Sequence, residues 1–179
     1  MLCEACERGD HEQCGMQTMA KEITLTRGKV AIVDADLFES LGRFNWRAEK
    51  RGPRWYAART EQRDGYRTTV YMHAQIMGTP KGMETDHENG NGLDNRRSNL
   101  RIATRVQNSQ NQGMRPGNCT GMKGVTFDKS RGKWLAQIRV GGRNRSLGRF
   151  DDRDAAAAAY DAASREHHGS FGRTNAGGK

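Results

Sequence analysis

From Met19 onward the apolar residues keep switching period, and the switches mark out elements. In "KEITLTRGKVAIVD", Ile23 and Leu25 alternate with polar residues, and Val30 to Val33 follow after a break. This predicts a β-hairpin turning at Arg27-Gly28. "DADLFESLGRF" changes to helical spacing, with Leu37, Phe38 and Leu41 on one side and Asp34 or Asp36 as the N-cap. "FNWRAEKRGPRWYAART" returns to alternation: a second hairpin turning at Gly52-Pro53, with Trp46, Trp55 and Tyr56 expected on its inner face. "YRTTVYMHAQIMG" runs from strand into short helix, and Pro80-Lys81-Gly82 breaks it.

"GMETDHENG" is a short strand entering a polar loop rich in Asn and Gly, and "LRIAT" is a second short strand. Thr104 followed three residues later by Gln107 is a capping box, so a helix starts there. Beyond Asn111, "QGMRPGNCTG" has a linker's composition. The remainder gives three strands, "KGVTFDK", "KWLAQIRV" and "RSLGRF", and one alanine-rich helix capped by Asp151 or Asp152 and stopped by Gly169. In "KWLAQIRV", Trp134, Ala136, Ile138 and Val140 can pack on that helix, leaving Lys133, Leu135, Gln137 and Arg139 outside. The expected fold is α+β. Its parts are an N-terminal leader (1–18), a first domain (19–112), a linker (113–121) and a sheet-on-helix domain (122–175).

Composition sharpens this. The chain has 179 residues and mean hydropathy −0.94, which suits two modest cores better than one large one. Its formal charge of +9 points to a polyanionic partner, nucleic acid before membrane. The opening "MLCEACERGD" lacks a signal-peptide core and no apolar run is long enough to span a bilayer, so a cytoplasmic protein is expected. Reduced cysteines follow, with metal binding ahead of disulfides. Cys3, Cys6, His11 and Cys14 form C-x2-C-x4-H-x2-C, a donor set for one structural Zn²⁺, whereas Cys119 stands apart as a free thiol. Met19, which opens "MAKEITLT", makes a leader without zinc the competing reading of 1–18.

The chemistry concentrates in Met83 to Leu100, "METDHENGNGLDNRRSNL". A carboxylate such as Asp86 suits a hard cation, and a neutral imidazole such as His87 can take a proton from water. Neighbours on a strand point to opposite faces, so the two serve one site only if the strand ends there. Asn99 and Asn108 offer amide oxygens for a metal or for orienting the histidine. Cleavage of a phosphodiester needs an activated water and a cation, and Asp86, His87 and Asn108 would supply both. His73 is a further candidate, for a supporting contact only.

The stretch "TDHENGNGLDNRRSNLRIATRVQNSQNQ" resembles the HNH (ββα-metal, His-Me finger) nucleases, in particular phage and intron homing endonucleases. The resemblance implies that His87 is the base, that Asp86 and Asn108 hold one Mg²⁺ or Mn²⁺, and that Asn99 fixes the loop or the base. The last motif position is Asn where the family name has His, which leaves Asn108 and Asn111 both open as ligand. The segment from Lys123 to Asn175 resembles the APETALA2/ethylene-response-factor DNA-binding domain, through "GV", "GKW", "IR", "LGRF" and "AAAAYDAA" in order. That resemblance implies DNA contacts from Lys123, Thr126, Lys133, Gln137, Arg139, Asn144 and Ser146. Arg143, beside them in the sequence, joins the basic set expected on that face. The expected protein is a monomeric, double-stranded-DNA endonuclease without small-molecule substrate or membrane partner. A non-cleaving DNA-binding protein with a degenerate nuclease module is the alternative, and an RNA-binding protein the third.

Overall fold

The computed structural model describes residues 19–114 and 117–176; the candidate zinc ligands Cys3, Cys6, His11 and Cys14 lie outside the described residues. The first hairpin, β1 (Ala20–Thr24) and β2 (Val30–Asp34), turns where Arg27 and Gly28 both adopt positive φ, 62° each. Helix α1 (Ala35–Gly42) follows at once. Asp34 occupies its N-cap position but makes no side-chain cap; instead its carboxylate accepts the Arg97 backbone N–H at 2.9 Å. The expected cap is thus spent on a tertiary tie to the loop that carries the site.

Strands β3 (Arg47–Arg51), β4 (Arg54–Arg63) and β5 (Tyr66–Tyr71) form an antiparallel sheet, and α2 (Met72–Met77) continues directly from β5. Trp46 and Trp55 pack on a core built from Ile23, Leu25, Ala31, Val33, Leu41 and Met72. Tyr56 does not join them, a correction to the sequence reading. Adjacent residues on β4 face opposite ways, so once Trp55 turns to the core Tyr56 must turn to the other side. There it meets His73 and His87.

The ββα unit comprises β6 (Glu84–His87), β7 (Leu100–Ala103) and α3 (Arg105–Gln110). The two strands are antiparallel, pairing Asp86 with Arg101 and His87 with Leu100. Helix α3 is too short to be stable alone. The capping box forms reciprocally: Thr104 Oγ1 accepts from Gln107 N, and Gln107 Oε1 accepts from Thr104 N. At the far end Lys123 Nζ donates to the carbonyls of Gln110 and Gln112 at 2.6 and 2.7 Å. A cation there satisfies orphan carbonyls and complements the helix dipole.

The C-terminal sheet, β8 (Val125–Asp128), β9 (Lys133–Val140) and β10 (Arg143–Phe150), packs on α4 (Arg153–His168) through two small clusters centred on Ala136 and on Ile138 with Tyr160. Asp152 caps the helix by accepting from Ala155 N at 2.8 Å, while Asp151 pairs with Lys133. Small side chains (Ala156, Ala157, Ala163) let helix and sheet approach closely. No helix among the described residues is long and apolar enough to cross a membrane.

Candidate active site

Glu84 and Asp86 are two apart on β6 and therefore share a face. Asn108 and Asn111 are three apart along α3 and its C-cap, which places them on one helix face. The two faces meet in register. Asn108 Nδ2 donates to Glu84 Oε2, whereas Asn111 Nδ2 donates to both oxygens of Asp86 at 3.0 Å and to the His87 carbonyl at 2.9 Å. Of the two asparagines left open by the sequence, Asn111 is the one brought to Asp86. Asn108 lies one turn short of it.

The Asp86 side chain is only 2% exposed. Its charge is matched by Arg101, the cross-strand neighbour, whose Nε and Nη2 donate to Oδ2 at 2.9 and 2.8 Å. Arg101 is itself held from the C-terminal segment: Nη1 donates to the Ser170 carbonyl at 2.8 Å, and its guanidinium carbon lies 4.0 Å from the Phe171 ring centroid. The sequence reading missed Arg101, because only the strand register sets it opposite Asp86.

His87 ends β6 and its ring is buried. Its Nε2 lies 3.3 Å from Asn95 Oδ1, and Asn95 Nδ2 donates to the Leu93 carbonyl at 3.2 Å. With the Asn95 nitrogen so engaged, its oxygen accepts from Nε2–H, which leaves the lone pair on Nδ1 of the imidazole. Burial pushes the His87 pKa down, against opposing pulls from the Asn95 hydrogen bond and the Asp86 and Asp94 charges. His87 is thus neutral at neutral pH. His73 stands edge-on at 4.9 Å between ring centroids, stacked on Tyr71, and burial pushes its pKa down to about 3. Tyr56 and His73 wall the His87 ring, and Tyr71 stacks behind His73.

The Asn/Gly loop is braced rather than loose. Asn99 accepts the Asn89 backbone N–H at 3.0 Å and donates to the Asp94 carbonyl at 2.8 Å. Asp94 is ion-paired to Arg96 at 2.6 Å. Asn95 N and Ile32 N tie the loop to β2. A Cβ on Gly92 would stand 2.4 Å from the Trp55 carbonyl and 2.6 Å from the Tyr56 ring, so glycine is what allows the loop to press on that wall.

On the C-terminal sheet, residues directly opposite one another share a face. Thr126 lies opposite Leu135, Ser146 opposite Gln137 and Asn144 opposite Arg139, and with Lys133 they line the face away from α4. Arg149, which the sequence reading did not include, joins that face opposite Leu135 and pairs with Asp128. Two of the expected residues sit elsewhere. Arg143 is opposite Val140, because the two-residue Gly141-Gly142 turn fixes that register, and Lys123 closes the end of α3.

A β-strand pair with an Asp-His end, a polar loop and a crossing helix with a terminal Asn defines a class, and comparison supports it: residues 74–110 match the HNH endonuclease family. The chain belongs to the same family as Protein 3.8 of Escherichia phage T7. It is 34% identical to that protein over 94 residues, covering 52% of this chain and 77% of the phage protein. No solved structure gives a significant match.

Proposed function

We infer that the chain is a divalent-metal-dependent HNH endonuclease that hydrolyses phosphodiester bonds of double-stranded DNA, of the homing type that phage proteins of this kind resemble. One observation carries the reading. A buried carboxylate, Asp86, is met by the Asn111 amide at the strand end from which His87 projects, its Nε2 anchored on Asn95. Asp86 offers hard oxygen donors, and Asn111 would add Oδ1 with its amide turned over from the orientation in which Nδ2 faces Asp86. Such a sparse set fits Mg²⁺ or Mn²⁺, which take one or two protein oxygens plus water and substrate phosphate, and does not fit zinc. When bound, the ion would stabilise negative charge developing on the scissile phosphate and leaving oxygen.

The chain's own residues do the rest. His87 Nδ1 takes the proton from the attacking water, and Asn95 holds the tautomer that makes this atom the acceptor. Tyr56 and His73, the latter backed by Tyr71, desolvate the ring and keep it neutral. Asn99 braces the loop that follows the base. The outward face of the C-terminal sheet, with Lys133, Gln137, Arg139, Asn144 and Ser146, reads the major groove in the manner of β-sheet binders. Arg and Gln there suit guanine and adenine edges.

The test uses supercoiled plasmid with wild type and His87→Ala, each with Mg²⁺ or EDTA. Magnesium-dependent nicking or linearisation by wild type alone supports the reading. Equal conversion by both proteins, or none by either, rejects it in favour of a DNA binder that does not cut.

A further inference from the structure

Beside the Asp86–Asn111 pair lies a second feature that this chemistry does not use. An open concavity of 580 Å³ is lined by Pro53, Arg54, Asn89, Gly90, Gly113 and Arg173, among others. A smaller one of 120 Å³ adjoins it, lined by Glu88, Asn111 and the segment from Ser170 to Thr174. Asn89 and Arg173 border both, so Arg173 stands between the Asn111 amide and the larger hollow.

Two guanidinium groups from distant parts of the chain converge on this hollow. Arg54 comes from the start of β4, and Arg173 from the segment after α4. Both reach over Gly90: from the point where a Gly90 Cβ would sit, Arg173 Nη1 is 2.7 Å away and Arg54 Nη2 is 3.7 Å away. Gly90 itself has φ +76 and donates its N–H to the His87 carbonyl at 2.8 Å, which ties the rim of the hollow to the His87 backbone. Lys123 adds a third positive charge at the margin, and after burial its pKa is lowered next by Arg173 and Arg54, down to about 8. An open hollow bordered by cationic side chains raises the local concentration of anions. The backbone of a nucleic acid supplies such anions, and arginine forks match a phosphate's oxygens two at a time.

We propose that Arg54 and Arg173 form a cradle for a single backbone phosphate of the DNA strand being cut, next to the scissile one. This rests on the nuclease reading for which phosphate is held. It also assigns a nuclease-site contact to the C-terminal segment, so that a strand seated on the sheet domain is handed to the catalytic loop at a fixed spacing. Both arginines grip one group, so they act as a unit.

The experiment measures duplex-DNA affinity of the full chain by fluorescence anisotropy in EDTA across a salt series. Each phosphate neutralised contributes a slope of about 0.9 in log Kd against log salt. The Arg54→Ala/Arg173→Ala double variant should lose about 0.9, and each single variant no more than that. Arg63→Ala, a 77%-exposed arginine at the far end of β4, should leave the slope unchanged. Arg54→Lys/Arg173→Lys should restore the slope while binding more weakly, because lysine keeps the charge without the fork. An unchanged slope in the double variant overturns the proposal. So does a loss near 1.8 (twice 0.9), which would mean two separate phosphates. If His87→Ala cuts plasmid as well as wild type, the nuclease reading fails, but the slope result stands apart, since it needs no cleavage.

Discussion

Asn111 Nδ2 sits 3.0 Å from each oxygen of Asp86, while Asn108, one turn earlier, reaches Glu84 instead. The two amides therefore separate cleanly in an assay. Asn111→Ala is expected to cut plasmid at least about 10²-fold more slowly, the scale of a few kcal/mol of lost charge stabilisation. Asn108→Ala is expected to stay within a few-fold of wild type. Similar losses in both variants would mean that the helix engages the strand in another register.

Asn95 tests the orientation of the base. Asn95→Ala removes the acceptor from His87 Nε2 without touching Asp86 or Asn111. Cleavage should fall about 10- to 100-fold, as when a buried partner that orients a working imidazole is lost. Mg²⁺ dependence, read as the concentration for half-maximal nicking, should change little. A large rise in that concentration instead would place Asn95 in the metal's surroundings.

His73 makes stability depend on pH in a defined direction. Its folded pKa is about 3 against an ordinary 6.5, and the groups packed around it are Tyr56, Tyr71 and His87. Above pH 6.5 both folded and unfolded states hold it neutral, so it costs nothing. As pH falls from 6.5 toward 3 the unfolded chain takes up a proton that the folded one refuses. Stability then drops by up to about 1.4 kcal/mol per pH unit. His73→Phe should flatten the fall in Tm between pH 7 and pH 5; an identical fall would show that other groups set it.

Gly92→Ala should destabilise by about 1–3 kcal/mol, the range for overpacking, since its methyl would meet the Trp55 carbonyl and the Tyr56 ring. Tyr56 walls the base, so nicking should slow beyond what the Tm shift alone explains. A variant with unchanged Tm would show that the loop yields freely.

What the sequence made legible was local. The capping box at Thr104 and Gln107, the hairpin turning at Arg27-Gly28 and the stop at Gly169 depend on residues within a few positions of one another, and all three form. The site was legible only in part. Which asparagine meets Asp86 depends on where α3 crosses β6, and spacing along either element alone does not set that. Tyr56 and Trp55 are neighbours on β4, and strand alternation keeps them from sharing the inner face. Arg143 is close to Arg139 in the sequence, but the tight Gly141-Gly142 turn puts it across from Val140. Arg101, Asn95 and Arg173 come together only through the tertiary fold, so no motif marks them.

The Arg101 side chain is shared property: one end neutralises Asp86, the other rests on Ser170 and Phe171. Exchanging the C-terminal sheet domain for another would therefore disturb the Asp86 carboxylate unless an equivalent of the Ser170–Phe171 turn were kept against Arg101. A replacement domain would have to return a backbone carbonyl and an aromatic ring to Arg101 where that turn now stands.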